Sequence, residues 1–247
     1  MRLLVVAGGD GTVNEAVNGI VEARAGDVEV ALLPCGTGDD FARTFGIPTS
    51  AQRALAAAVD GVVRPIDVGR ASFRGWDGSE LTRYFANFAG VGISGAIARR
   101  GAATSRRLGA RAAYFWATVA VFARWKSVEV SVDAGGERRT GLMFEVLVTN
   151  GVYAAGGMKV APGASPDDGL FDVVTMGDFT KAEFVTTFPK IYRGTYVRHP
   201  KVEILRAARA TVEAASPLPV VLDGEQPGTT PVAFEILPGA LRLRVPR

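Results

Sequence analysis

The 247-residue sequence predicts an α/β domain over residues 1–67 followed by an all-β, sandwich-type domain over residues 68–247. Three observations carry that expectation. Up to Asp67, apolar runs alternate with helical spacing and glycine-rich turns. From Arg70 onward the texture changes to short alternating segments, as where Val128, Val130 and Val132 interleave with Glu129, Ser131 and Asp133. A composition of 48% hydrophobic and 21% charged residues, in a chain of this length, is that of a folded protein with a sizeable core.

Leu3 to Val6 is an aliphatic run that suits a strand buried on both faces of a parallel sheet. Gly8, Gly9 and Gly11 form the turn after it, and Glu15, Ala16, Val17 and Ile20 begin a helix. Lacking Cβ atoms, these glycines can take positive φ and bring backbone N–H groups close to a phosphate at the helix start, where the dipole favours anions. Thr12 adds a hydroxyl donor and Asn14 an amide. Asp10 sits between glycines and would repel phosphate unless Mg²⁺ or a donor lies between them, so GGDGT is more than a plain anion cradle. Neither GxxxxGK[ST] nor GxGxxG is present. The motif logic favours nucleotide phosphate binding over a structural turn.

Val28 to Leu33 is a second strand and Pro34-Cys35-Gly36-Thr37-Gly38 a second glycine loop. Asp39 and Asp40 open a helix, with Thr37 or Asp39 as its cap and Gly46 and Pro48 as its stop. Two glycine loops thus meet at one sheet edge, where nucleotides bind in open α/β sheets. A third helix, Ala51 to Val59, leads into a strand from Val62 to Val68 that carries Asp67 near its end.

In the second part, Gly135-Gly136 turns the Val128–Val132 strand back into a partner at Leu142 to Thr149. Further strands are expected at Phe171–Thr175, Lys201–Leu205, Ala210–Ala214, Pro219–Leu222, Val232–Leu237 and Leu241–Val245, with one helix near Lys181 to Tyr192. The loop Gly156 to Asp172 is rich in Gly, Pro, Ser and Asp; its spacing alone fits a plain turn, although carboxylate and backbone oxygens there could hold a hard cation. Asp223-Gly224-Glu225 follows an apolar strand and by itself reads as a hairpin turn. In extended backbone the two acids, two residues apart, would share a face.

Charge is unevenly distributed. Leu81 to Val128 holds no acid and eight basic residues, Arg83, Arg99, Arg100, Arg106, Arg107, Arg111, Arg124 and Lys126, in a chain whose net charge is +3. Within it, Ala112 to Ala123 is too short to span a bilayer and fits either a buried or an interfacial helix, so contact with anionic membranes is expected and nucleic acid is not. The single cysteine, Cys35, excludes an internal disulfide framework, fits a reducing cytosol and reads as a small buried side chain. The single histidine, His199, reads as a solvated loop residue and rules out His-rich metal sites.

GGDGTVNE at Gly8–Glu15, followed by PCGTGDDFAR at Pro34–Arg43, resembles the catalytic domain of the diacylglycerol kinase family, in particular the bacterial soluble lipid kinases. GGDGT alone is shared with NAD kinases and resembles the phosphofructokinase loop; the second block narrows the resemblance to lipid kinases. It implies an N-terminal nucleotide-binding domain and transfer of the γ-phosphoryl group of ATP to a lipid hydroxyl, with diacylglycerol the leading acceptor and phosphatidic acid the product. ATP and Mg²⁺ are the implied cofactors. ATP contacts carry over to Gly8, Gly9, Asp10, Gly11, Thr12, Val13, Asn14, Gly36, Thr37, Gly38 and Asp40. An Mg²⁺ site carries over to Asp168 with the backbone carbonyls of Ser165 and Leu170, and Asp67 to a metal and water network at the domain junction. The catalytic base carries over to the Asp223-Gly224-Glu225 motif, one acid as base and the other as its partner. Asp39 stands where the family usually has Asn, adding negative charge near the expected phosphates. The resemblance also implies further α/β structure ahead of Met1, a cytoplasmic protein with peripheral membrane association, and a homodimer among its assemblies. An NAD kinase-like small-molecule kinase and a catalytically inactive lipid-binding homologue are the rival readings.

Overall fold

Parallel pairing of two short strands starts the fold in the computed structural model, which describes residues 2–103, 118 and 120–247. Strands β1 (Arg2–Gly8) and β2 (Val28–Pro34) pair from Arg2 with Val28 to Gly8 with Pro34, joined by helix α1 (Asp10–Glu22). Helices α2 (Asp40–Thr44) and α3 (Ala51–Asp60) follow. The aliphatic run of β1 is not buried on both faces: β1 pairs only with β2 among the described strands, and Leu3, Leu4 and Val5 remain 40–44% exposed. The period of an apolar run reports tolerance of burial, while a missing neighbour decides exposure.

Strand β3 (Val62–Gly75) leads out of this layer and pairs with β4 (Glu80–Phe85); β5 (Phe88–Gly92) then runs directly into α4 (Ile93–Ala103). Neither β4, β5 nor α4 stands out in the sequence pattern. Most of the expected Ala112–Ala123 helix, with Arg106, Arg107 and Arg111, lies outside the described residues. β6 (Val128–Ala134) and β7 (Glu137–Thr149) form the expected hairpin, and β8 (Tyr153–Ala154) with β9 (Met158–Lys159) forms a small one turned by Gly156 and Gly157 at positive φ.

β10 (Phe171–Gly177) and α5 (Lys181–Thr187) come next. The helix expected to reach Tyr192 changes at Phe188 to a 3₁₀ segment, Phe188–Arg193, because Pro189 has no N–H for the α-helical ladder. Antiparallel strands β11 (Val202–Ala207), β12 (Arg209–Ala214), β13 (Pro219–Leu222) and β14 (Glu225–Val245) complete the chain. β14 replaces two expected strands with one of 21 residues, broken in register near Thr229 and between Leu237 and Leu241. These bulges redirect one strand between layers: its first part pairs with β13 and β12, and its last part lies parallel to β2 at Arg242 and Leu243.

The sandwich interior gathers Phe73, Phe85, Phe171 and Phe234 among β-branched residues of β5, β6, β7, β10, β12, β13 and β14. Phe85 stacks on Phe171 at 5.6 Å and meets Phe234 edge-on at 5.9 Å; Gly69 is required opposite it, since a Cβ there would stand 2.3 Å from the ring. A second core joins α1, β2 and α2 to Ile66, Val68, Leu241 and Leu243. Buried Glu29 on β2 accepts from Arg244 Nε at 2.8 Å, so the last strand is fastened to the first layer by charge as well as by apolar contact. Tyr196 anchors a third core with Phe144, Leu147 and Val174 beneath α4. Cys35 is exposed rather than buried, because its loop lies at the open end of β2. His199 packs on Phe179 at 4.6 Å and its Nδ1 accepts from Lys201 N.

Candidate functional site

At the carboxyl ends of β1 and β2 the two glycine loops pack against each other. A Cβ on Gly36 would lie 2.6 Å from Gly9 Cα, and one on Gly9 would lie 2.9 Å from Gly36 Cα. Their role is thus close approach; Gly8, Gly9 and Gly11 do not adopt positive φ. Helix α1 begins at Asp10, five residues before the expected start, so Gly11 and Thr12 stand in its exposed first turn. A Cβ on Gly11 meets nothing within 4 Å, while Gly8 makes room for the Thr12 side chain.

The acids of these loops are directed at backbone donors. Asp10 Oδ1 accepts from Phe41 N at 2.9 Å, which caps α2 from a distance of 31 residues. Neither Thr37 nor Asp39 caps that helix by its side chain; Asp39 sits at φ 49° and its Oδ1 accepts from Gly36 N, closing the loop on itself. Asp40 is buried and accepts from Gly156 N and Gly157 N, both at 2.6 Å, tying the β8–β9 hairpin to the loop. Burial raises its pKa, Asp10 adds to that, and the two N–H donors and Arg43 oppose it. Arg43 reaches Gly38 O at 3.2 Å and lies over the Tyr153 ring.

A cavity of about 600 Å³ opens between this wall and the sandwich, lined by Asp10, Val13, Thr37, Gly38, Asp40 and Phe41 on one side and by Ala86, Asn87, Phe88, Ser94, Ala98, Val221, Asp223 and Gly224 on the other. Asp223 and Gly224 are the two central residues of the β13–β14 hairpin, both at positive φ, with Leu222 paired to Glu225. This tight turn replaces the extended backbone on which a shared face for Asp223 and Glu225 depends. The Asp223 carboxylate turns inward, whereas Glu225 is exposed and absent from the cavity lining. Asp223 Oδ2 accepts from Asn14 Nδ2 at 2.9 Å and Ala86 N at 2.8 Å; Oδ1 accepts from Asn87 N at 3.1 Å and Phe88 N at 2.9 Å. Burial raises its pKa and these four donors oppose the shift. Asn14 therefore links α1 to the sandwich acid, and Asn18 extends the seam through Tyr84 O and Tyr84 N.

A second buried acid lies under the same cavity. Glu145 on β7 accepts from Ser94 Oγ at 2.5 Å and Ser94 N at 2.8 Å, holding the start of α4. Burial pushes its carboxyl up to about 7, against the opposing donors of Ser94 and Ile93; burial, and after it the Glu145 charge, also raises the pKa of neighbouring Tyr196. The sequence flags this acid only as a lone Glu in an apolar run.

The remaining expected residues lie away from the cavity. Asp67 is buried at the junction of the two layers, accepting from Gly169 N at 2.7 Å and Gly239 N at 2.8 Å, while its carbonyl accepts from Asn150 Nδ2. Ser165, Asp168 and Leu170 form one turn. There Asp168 Oδ1 accepts from Leu170 N and Oδ2 pairs with Arg206, which also stands 3.7 Å from Asp172 Oδ1. The carboxylate expected to bind a cation is thus already neutralised by a guanidinium, so in this arrangement the turn does not fit Mg²⁺. Among the described residues no cluster of three or more His, Cys, Asp or Glu side chains is placed to hold a metal.

Two family models match successive parts of the chain. The model of the diacylglycerol kinase catalytic domain matches residues 1–71, and that of the YegS C-terminal NAD kinase beta sandwich-like domain matches residues 88–245. Diacylglycerol kinase of Bacillus subtilis (strain 168) is 30% identical over 235 residues, covering 94% of this chain and 74% of the relative. The enzyme of that name from Staphylococcus carnosus (strain TM300) is 28% identical over 248 residues, covering 100% and 77%. Among solved structures, a diacylglycerol kinase from Bacillus anthracis str. Sterne superposes with a TM-score of 0.68 at 22% identity, covering 99% of this chain and 76% of that one. Yeast NADH kinase in complex with NADH superposes with a TM-score of 0.52 at 14% identity, covering 100% and 62%; both of these likenesses speak to fold alone.

Proposed function

The chain belongs to the diacylglycerol kinase family, and from that premise we propose that it is an ATP-dependent lipid kinase that phosphorylates a lipid hydroxyl, with diacylglycerol as acceptor and phosphatidic acid as product. The observation that carries the reading is the single cavity shared by the glycine-loop wall and the Asp223 carboxylate. Residues 1–67 serve as the nucleotide side, with Gly8 to Asn14, Gly36 to Gly38 and Asp40 around the phosphates; residues 68–247 serve as the acceptor side.

Phosphoryl transfer needs alignment and charge neutralisation more than covalent help from the protein. N–H groups of the exposed first turn of α1 face the phosphates with the positive end of the helix dipole. Arg43, held beside Gly38, supplies a nearby cation that offsets Asp39 and Asp40. Mg²⁺ bound with the nucleotide would offset the negative charge of its phosphates, and no step depends on the Ser165–Leu170 turn. The acceptor oxygen forms its bond to the γ-phosphorus as the bond to the bridging oxygen of ADP breaks, and its proton passes to Asp223. Four N–H donors fix the direction of that carboxylate; taking the proton requires one of them to lengthen. Apolar Phe88, Ala98 and Val221 suit a lipid backbone beside it.

Among the described residues no helix is long and apolar enough to cross a membrane. In this reading the protein meets its acceptor from the cytoplasm at an anionic bilayer surface, through the basic residues between Leu81 and Val128. Incubation with γ-labelled ATP and mixed micelles of diacylglycerol, in parallel with NAD, tests the assignment. Labelled phosphatidic acid is expected; label in NAD alone, or in neither, overturns it.

A further inference from the structure

Ser94 and Glu145 form a polar pair in the wall of the acceptor cavity that the transfer step does not use. Ser94 lines the cavity near the first turn of α4, while Glu145 lies behind it, wholly buried on β7. The backbone is shaped around this pair. A Cβ on Gly90 would fall 2.4 Å from Ser94 Oγ and 3.0 Å from Glu145 Oε1, and one on Gly92, at φ 136°, would fall 3.0 Å from Glu145 Oε2. Two glycines in the Gly90-Val91-Gly92 run thus make room for one carboxylate, and Gly92 is paired directly with Glu145 across β5 and β7.

The chemistry of the pair fixes what Ser94 can offer. Once ionised, above about pH 7, the Glu145 carboxylate only accepts hydrogen bonds, so the single hydroxyl hydrogen of Ser94 is committed to Oε1, and Ser94, which lines the cavity, keeps the lone pairs of Oγ for a donor. An oxygen of that kind pairs with a donor and repels an ester carbonyl. The hydroxyl undergoing phosphorylation has one hydrogen, and in the reading above it goes to Asp223. A group bound at Ser94 must therefore be a different donor on the same acceptor.

Resting on the lipid-kinase reading, we propose that Ser94, oriented by Glu145, is a specificity contact that selects acceptor lipids carrying a second hydrogen-bond donor, a hydroxyl or amide N–H, beside the hydroxyl that is phosphorylated. A plain diacylglycerol has no such second donor, so it is accepted but not preferred over a monoacylglycerol of equal chain.

Binding of two soluble probes by titration calorimetry at pH 8.5, where Glu145 is ionised, tests this independently of turnover. The probes are 1-octanoylglycerol and its 2-O-methyl ether, which keep the 3-hydroxyl and differ by one donor. The wild-type protein is expected to prefer the free 2-hydroxyl, with the affinity ratio about tenfold higher than in Ser94→Ala. Glu145→Gln places an amide donor against Oγ and turns the serine hydrogen toward the cavity, so its ratio falls to that of Ser94→Ala or below. Equal ratios in all three proteins, or no binding of either probe, overturn the proposal. Selective binding without phosphorylation of any lipid leaves it standing and removes the kinase reading instead.

Discussion

The two walls of the cavity are built by opposite means. On the N-terminal side, glycine backbones touch, helix N–H groups face outward, and the acids Asp10 and Asp40 are spent on fastening loops together. On the sandwich side, two inward-turned carboxylates, half-buried Asp223 and buried Glu145, are held by donors collected from other strands and helices. The first wall can receive an anion where Gly11 and Thr12 leave the first turn of α1 open, with Asp10 Oδ1 turned to Phe41 N. The second can handle a proton because burial disfavours its negative charge while fixed donors keep it oriented.

The sharpest way to break this contrast is in the first wall. Gly11→Val adds its side chain to open space, so the fold should survive while nucleotide phosphates lose close approach; ATP affinity is expected to drop at least a hundredfold by calorimetry with little change in Tm. Gly9→Val differs in kind, because its Cβ collides with Gly36 Cα, and it should lower Tm as well as affinity. A Gly11 variant that binds ATP normally would return the turn to a structural role.

Asp67 separates architecture from chemistry. Asp67→Asn sets an amide against the N–H groups of Gly169 and Gly239 and should cost about 1–3 kcal/mol of stability, read as a lower denaturation midpoint, with the KM for ATP moved less than twofold. An effect that depends on pH is expected from Glu145. Its carboxyl is raised from 4.5 to about 7 in the folded protein, so the native state holds a proton that the unfolded chain has released. That contribution is full below pH 4.5 and is lost as pH rises through 7. The Tm of wild type relative to Glu145→Gln should therefore decline between pH 5 and pH 8; a flat difference would contradict the burial of this acid. Glu225→Gln, at an exposed position outside the cavity, should change turnover less than threefold.

The same contrast explains what could be read from the chain. The first wall is local: strand, glycine loop and helix follow one another within Leu3 to Phe45, so residue pattern reports it directly. The second wall is not. The donors to Asp223 come from Asn14 and from Ala86 to Phe88, more than 130 residues away, and only the hairpin geometry at Asp223-Gly224 turns that carboxylate inward. Residue pattern marked Asp223-Gly224-Glu225 as a turn, and the family resemblance gave its two acids equal places; positive φ at the two turn residues separates them. β5 and α4 were hidden because Gly90, Gly92 and Gly95 dilute both periodicities, although those glycines are what admit Glu145, Ser94 and Pro219. The Arg206 pairing of Asp168 had no local signal, since the two residues are 38 apart.

The central claim, that one cavity brings nucleotide and acceptor together under Asp223, is tested most directly by comparing single-turnover lipid phosphorylation with ATP binding in wild type and Asp223→Asn. Loss of the base should slow the transfer step by about 10²–10⁴-fold while the Kd for ATP stays within about twofold. Near-normal transfer in the variant at saturating lipid would contradict the account, and so would a parallel loss of ATP binding with no separate effect on the transfer step.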